Sequence, residues 1–404
     1  MRKFQPATVK GMVALAASMV AAPALAMQDP GTAHQNLLTL DTHLDTPIHF
    51  ARPGWRMGDR HNLETDIAQV DQPRMIEGGL DGGFFVIYTS QGELTDEGFA
   101  AAGAFAAQRQ LEILLMLATN ATTLEAAWTA DDAERIAAQG RGFVFQSIEN
   151  SYPLGEDISA LQGFYDRGVR MSGPVHFRNN QFADSSTDPE PRWHGLSPLG
   201  RELIVEMNRL GIVPDGSHAS DEVVDQMIEL SAVPIILSHS GPQAIFDHPR
   251  NLTDERIRRL AESGGVIAVN SVYLSAGGDE DTARDALTEA LEGLAEMPAE
   301  EQAAAIAELR AYDAEHPRLE ADFETFMASL MHLIEIAGVD HVAFGADWDG
   351  GGGVVGMRDI TALPQITERL IAAGYGEEDL EKMWSGNVLR LLREAEAYSA
   401  SLAE

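Results

Sequence analysis

The 404-residue sequence is 45% hydrophobic, ample for a large core, and its lack of cysteine excludes disulfides, thiol catalysis and thiolate metal ligands. With 63 acidic residues against 28 lysines and arginines, the net charge is −35. Nucleic acid is excluded as a partner, because its phosphates would be repelled. Residues 1–26 read as a secretory signal peptide. Arg2, Lys3 and Lys10 precede the apolar stretch GMVALAASMVAAPALA, which closes on the small-x-small cleavage site Ala24-Leu25-Ala26. A buried N-terminal helix is the weaker alternative, and the stretch is short for a membrane anchor. Loss of those three cations would bring the net charge from −35 to −38. The mature chain, 27–404, is expected to be periplasmic or secreted, without a membrane anchor.

Short apolar, β-branched or glycine-led runs then recur, each closing on polar residues. They are LLTL (37–40), GGFFVIYT (82–89), GFVFQSI (142–148), GVRMSGPV (168–175), GIVPDG (211–216), VPIILS (233–238), GGVIAVNS (264–271) and DHVAFGA (340–346). Stretches with helical periodicity lie between them, among them 199–210, 220–230 and 252–263. The last opens on Thr253 with Arg256 three residues on, an ordinary cap and not a capping box. This alternation predicts an α/β protein, a (β/α)₈ TIM-type barrel. A doubly wound open sheet is the alternative, weakened because no G-x-G-x-x-G opens a helix after the first strand. Residues 277–320 are acidic and alanine-rich, and predict two helices inserted between strands seven and eight, broken at MPAEE (297–301). They read as a solvated decoration.

Metal-ligand residues fall at the C-terminal ends of six of these strands. Strand one ends in His43 and Asp45, strand three in Glu149, strand four in His176, strand five in His218, strand six in His239, and strand eight in Asp347 and Asp349. Singly, each histidine is more readily structural than functional. Their convergence on the face where barrel enzymes build active sites is what gives them weight. His34, His49, His61, His194, His248, His316, His332 and His341 lie in loops or helical stretches and need no special role. Without thiolates, any metal must sit on His, Asp and Glu, a set that suits Zn²⁺ or similar divalent ions. His43, Asp45, Glu149, His218 and His239 are too many for one catalytic zinc with an open position. Two ions bridged by Glu149 would use them economically, and a water between them would be acidified into a nucleophile. Asp347 then remains as a base to pass on its proton.

The succession DTHLDTP, SIEN, VHFRNN, GSHAS, LSHSG, HPRN, VDHVAFGADWDG and SGNVLRLL, in order from about residue 37 to 396, resembles the membrane (renal-type) dipeptidases, zinc enzymes of the amidohydrolase superfamily. The resemblance implies two Zn²⁺ ions, with His43 and Asp45 on the first, His218 and His239 on the second, and Glu149 bridging. It implies that His176 contacts the substrate and polarises the scissile carbonyl. Arg250 of HPRN would grip the dipeptide's terminal carboxylate, where the residue alone suggests a surface ion pair. Asp347 would shuttle the proton. A dipeptide substrate, with a D-residue allowed at the C-terminal side, and a homodimer are expected with it. The insert is longer than in compact members, and Asn270 and Tyr273 fall in the region that lines the pocket of relatives. Other two-metal amidohydrolase activities, on N-acyl amino acids, esters or lactones, are the alternative. A non-catalytic, metal-loaded peptide-binding protein is a more distant one.

Overall fold

The computed structural model describes residues 30–276, 281–316 and 320–403; the expected signal peptide lies outside the described residues. Strand β1 spans Leu40–Leu44, three residues later than its apolar run predicts. The polar pair Asp41-Thr42 can lie inside a buried strand because both side chains are satisfied. Asp41 accepts the backbone N–H groups of His43 (2.8 Å) and Ala346 (3.2 Å), and Thr42 donates to the carbonyls of Ser238 (2.5 Å) and Phe344 (3.0 Å).

The other strands are β2 (Gly82–Ile87), β3 (Leu124–Ala126), β4 (Gly142–Ile148), β5 (Val169–Ser172), β6 (Val213–Pro214), β7 (Ile236–Ser240), β8 (Val266–Val269) and β9 (Val342–Phe344). All pairings between them are parallel, in the orders β1-β2-β4-β5-β6 and β7-β8-β9. Single parallel bridges, Asp215 with Ile236 and Leu44 with Trp348, join the two sheets into a ring of eight. This is the expected barrel. The unpredicted β3 stands outside the ring, on the N-terminal half of the β4 edge that β5 reaches only from Gln146 onward. Three residues are too few for a readable alternation. Strand β6 is shorter than its run, since Pro214 has no N–H and Asp215 turns its carboxylate to the N–H of Ser217 (2.9 Å).

Every ring strand sends at least one apolar residue into a common cluster, among them Leu40, Phe84, Phe145, Met171, Val213, Ile236, Val266 and Ala343. Val388, Leu391, Leu392 and Ala395 of the C-terminal helix Asn387–Ser401 pack on it. Most of these strand residues lie early in their strands, so the opposite, C-terminal mouth is left for loops. Two register shifts aim side chains into that mouth. The β1/β2 ladder slips between Asp41 and Leu44, and the β7/β8 ladder between Leu237 and Ser240. Each slip sets three residues against two, a bulge that reverses the alternation. Leu40 and His43 therefore both face inward despite their odd spacing, as do Ile236 and His239.

The residues expected as two inserted helices form Thr282–Glu292 and Ala299–Glu315, separated by a short turn and Pro298. They share a small core of Leu291, Leu294, Ile306 and Leu309 that packs on Ile67 of the barrel. Thr253 caps the helix Asp254–Glu262 through the N–H of Arg256, with no reciprocal box. No helix among the described residues is long and apolar enough to cross a membrane.

His34 is fully buried between Thr367 Oγ1 (2.7 Å) and the Gly78 carbonyl (2.9 Å), edge-on to Trp384. Burial lowers its pKa from 6.5 to about 4. The unfolded chain therefore binds a proton that the native state refuses. The associated stability is complete above pH 6.5 and is lost as pH falls toward 4, in total about 3 kcal/mol. Urea unfolding at pH 7 and pH 4 should show a flatter pH dependence for His34→Gln than for the parent, by about that amount.

Candidate active site

Glu149, directly after β4, stands at the centre of the C-terminal mouth. One of its oxygens, Oε1, lies 3.0 Å from His218 Nε2, 3.3 Å from His176 Nε2, 3.5 Å from His43 Nε2 and 3.6 Å from His239 Nε2. Asp45 approaches His43 Nε2 at 3.3 Å, and His218 and His239 meet Nε2 to Nε2 at 2.9 Å. All of these side chains are buried. Three overlapping groups each bring their ligand atoms within 4.8 Å of one another: His43, Glu149 and His239; Glu149, His176 and His218; and His43, Asp45 and Asp347. Every predicted ligand is therefore drawn into one cluster.

Burial acts on each group differently. It opposes charge on His43, but the carboxylates of Asp45 and Glu149 outweigh it and hold the ring well above its usual range. Burial would raise Glu149, yet the surrounding imidazoles, His176 and His43 first, hold it well below. His218 and His239 are pushed well below by burial, with the Arg250 charge acting in the same direction. Asp347 is raised to about 7 by burial, with Asp45 and Glu149 adding to the effect.

The donor set fits divalent metal. Buried histidines crowded on one carboxylate, with His43 Nε2 lacking a hydrogen bond, are costly to keep without a shared cation. A chain of support behind them fixes one tautomer. Ser238 Oγ donates to Asp215 Oδ2 at 2.5 Å and meets His239 Nδ1 at 2.9 Å. The serine has one hydrogen and spends it on Asp215, so Nδ1–H of His239 is the donor to Ser238 and the Nε2 lone pair faces the cluster. Asp215 is itself held by the N–H groups of Ser217 (2.9 Å) and Ser238 (3.0 Å). Sequence reading passed over Asp215 and Ser238, although both belong to runs quoted as strands.

His176 is as near Glu149 as the other histidines, so distance alone does not separate it from them. It is the most exposed of the four rings, 8% against 1% for His43, and it packs between Tyr88 (4.9 Å) and the half-exposed Phe177 (3.9 Å). It faces the mouth. Arg250 is not the surface ion pair that its residue type suggests. It is buried, its Nη2 donates to the His239 carbonyl at 3.1 Å, and its Nε has no hydrogen bond. Among the described residues no carboxylate forms a salt bridge with it. Tyr273 lies under its guanidinium, 5.3 Å from the ring centre, and stacks on His248 at 4.5 Å. His248 Nδ1 accepts the backbone N–H of Arg250 at 3.2 Å, so this histidine is a support for the site. Asn270 is buried and donates weakly to the His239 carbonyl at 3.5 Å.

Backbone conformation marks the same end of the barrel. Among the described residues five non-glycines have positive φ, and four of them, His218 (68°), Tyr273 (53°), Asp347 (65°) and Asp349 (67°), lie at this mouth. Such strain costs about 1–3 kcal/mol per residue and persists where surrounding structure enforces it.

Residues 30–404 match the family model described as membrane dipeptidase (peptidase family M19). The chain belongs to the membrane dipeptidase family. This dipeptidase is 28% identical over 372 residues to Dipeptidase tcpJ of Claviceps purpurea, covering 89% of this chain and 78% of that protein. Among solved structures, the probable dipeptidase PvdM of Pseudomonas aeruginosa superposes with a TM-score of 0.77 at 27% identity, over 91% of this chain and 98% of that one. A metallopeptidase of Rhodobacter sphaeroides, solved with a phosphinate mimic of the dipeptide L-Ala-D-Ala, gives a TM-score of 0.69 at 26% identity, over 89% and 99%. The dipeptidase is thus a metal-dependent hydrolase, and its buried imidazole and carboxylate groups are where metal can be held.

Proposed function

We propose that the enzyme hydrolyses the single peptide bond of dipeptides, C-terminal D-residues included, with two zinc ions. His43, Asp45 and Glu149 would hold one ion; Glu149, His218 and His239 would hold the other. Bound there, the metal supplies Lewis acidity toward the amide carbonyl and acidifies a water toward neutral pH.

The observation that carries the reading is Arg250. A buried guanidinium without an ion-pair partner is expensive, and it stands beside a cluster suited to amide hydrolysis. A dipeptide's terminal carboxylate completes it, in a geometry that a guanidinium fork matches. Gripping that carboxylate makes the last peptide bond the scissile one, and holding the free amine at the metals in the same pocket would limit the substrate to two residues. His176, outermost of the histidines, donates to the carbonyl oxygen as charge develops there. Asp347 takes the proton of the attacking water and returns it to the departing amine. The L-Ala-D-Ala mimic bound by the Rhodobacter relative supports the extension to D-residues.

Zinc-loaded protein should cleave a panel of L,L and L,D dipeptides, lose activity to a chelator, and leave a tripeptide intact. Arg250→Ala should lower kcat/KM for dipeptides by about 10²-fold or more, the cost of one lost charge-assisted contact, and leave an ester or amide without a carboxylate unaffected. No dipeptide turnover by fully metal-loaded protein would defeat the proposal and favour the N-acyl amino acid, ester and lactone alternatives.

A further inference from the structure

Gln302 lies on the inserted helix Ala299–Glu315, yet its side chain is buried. Its Oε1 accepts from Arg52 Nε at 3.1 Å, and its Nε2 donates to the Met297 carbonyl at 2.9 Å. Arg52, also buried, grips both oxygens of Asp66 (2.8 and 3.2 Å) and meets His49 Nδ1 at 3.1 Å. A guanidinium can only donate, so Nδ1 accepts there and the ring hydrogen sits on Nε2. Nε2 then donates to Asp349 Oδ1 at 3.2 Å. The same carboxylate accepts from Thr46 Oγ1 at 2.8 Å and from the N–H of Gln69 at 2.6 Å. Gln69 returns the contact through its Oε1, which accepts the Asp349 N–H at 2.7 Å.

The far end of this chain touches the cluster. Thr46 follows Asp45 directly, and Asp349 lies two residues past Asp347. The backbone at Gly350 is so close to both that an added Cβ would sit 2.1 Å from Asp45 Oδ2 and 2.2 Å from Asp347 Oδ1. An unbroken buried run of polar contacts therefore leads from the insert to the turn that places these two carboxylates. A solvated decoration would need none of it.

We propose that Gln302, Arg52, His49 and Asp349 are positioning residues that lock the Asp45 and Asp347 carboxylates in place, which makes the insert a working part of the active site. The proposal rests on the reading of Asp45 as metal-holding and Asp347 as proton carrier. Each member of the run satisfies its neighbour in a dry interior, so deleting one leaves a buried polar or charged group short of a hydrogen bond and frees the turn. Partners that orient metal-holding groups are typically worth about 10- to 100-fold in metal affinity or activity.

The test is titration of metal-free, full-length mature protein with Zn²⁺, beside steady-state kinetics on a dipeptide, for His49→Leu and Gln302→Leu. His49→Gln and Gln302→Glu serve as rescue variants, since each can still pair with Arg52. Both leucine variants should bind zinc about 10- to 100-fold more weakly and lose a similar factor in kcat, with KM within about twofold of the parent. The rescue variants should recover most of both losses. Folded leucine variants with parental zinc affinity and kcat would overturn the proposal. So would losses that the rescue variants do not restore, which would assign the effect to packing. If the parent itself hydrolyses no dipeptide, the functional reading fails, while the zinc titration still decides the positioning role.

Discussion

Asp347→Asn is expected to lower dipeptide turnover by about 10²–10⁴-fold, the span of a positioned proton carrier, while metal content stays at the parental level. The substitution preserves shape and hydrogen-bonding capacity but cannot carry a proton. Asp347 is buried, held at φ 65°, and placed within 4.8 Å of ligand atoms of His43 and Asp45. That proximity allows a second role, and the two measurements separate them. Lost turnover with full metal content identifies a proton carrier. Loss of one metal equivalent together with activity would make Asp347 a ligand and refute the assignment proposed above.

Gly350→Ala should cost about 10²-fold in kcat/KM, comparable to a 1 Å misplacement of reacting groups. The reason is contact and not backbone freedom, because the Cβ would overlap the Asp45 and Asp347 carboxylates at 2.1 and 2.2 Å. At least one carboxylate must move. Gly376→Ala is the matched control, since nothing lies within 4 Å of its Cβ position and its φ is −87°. Parental kcat/KM in both variants would show that the turn yields freely and that the carboxylates do not require this geometry.

The barrel and the cluster were legible for different reasons. Strands such as GFVFQSI announce themselves by apolar content, and the ligand residues by chemistry that a core does not need. The first strand was displaced by three residues because Asp41 and Thr42 look like loop residues until their partners across the ring, Ala346, Ser238 and Phe344, are known. The bulges that turn His43 and His239 inward have no signature in a single sequence, since they are set by the neighbouring strand. His49 and Asp215 were passed over for the same reason. Their partners lie far along the chain: Asp349 is 300 residues from His49, and Ser238 is 23 from Asp215.

The ring of strands has two seams where a single backbone bridge replaces a ladder, at Asp215 with Ile236 and at Leu44 with Trp348. His218 and His239 face each other across the first seam, and Asp45 and Asp347 flank the second. With the proposed metal bound, the side chains that gather around Glu149 would rivet the two places where the staves are least joined. The wall of the barrel and the centre it encloses would then be held shut by the same residues.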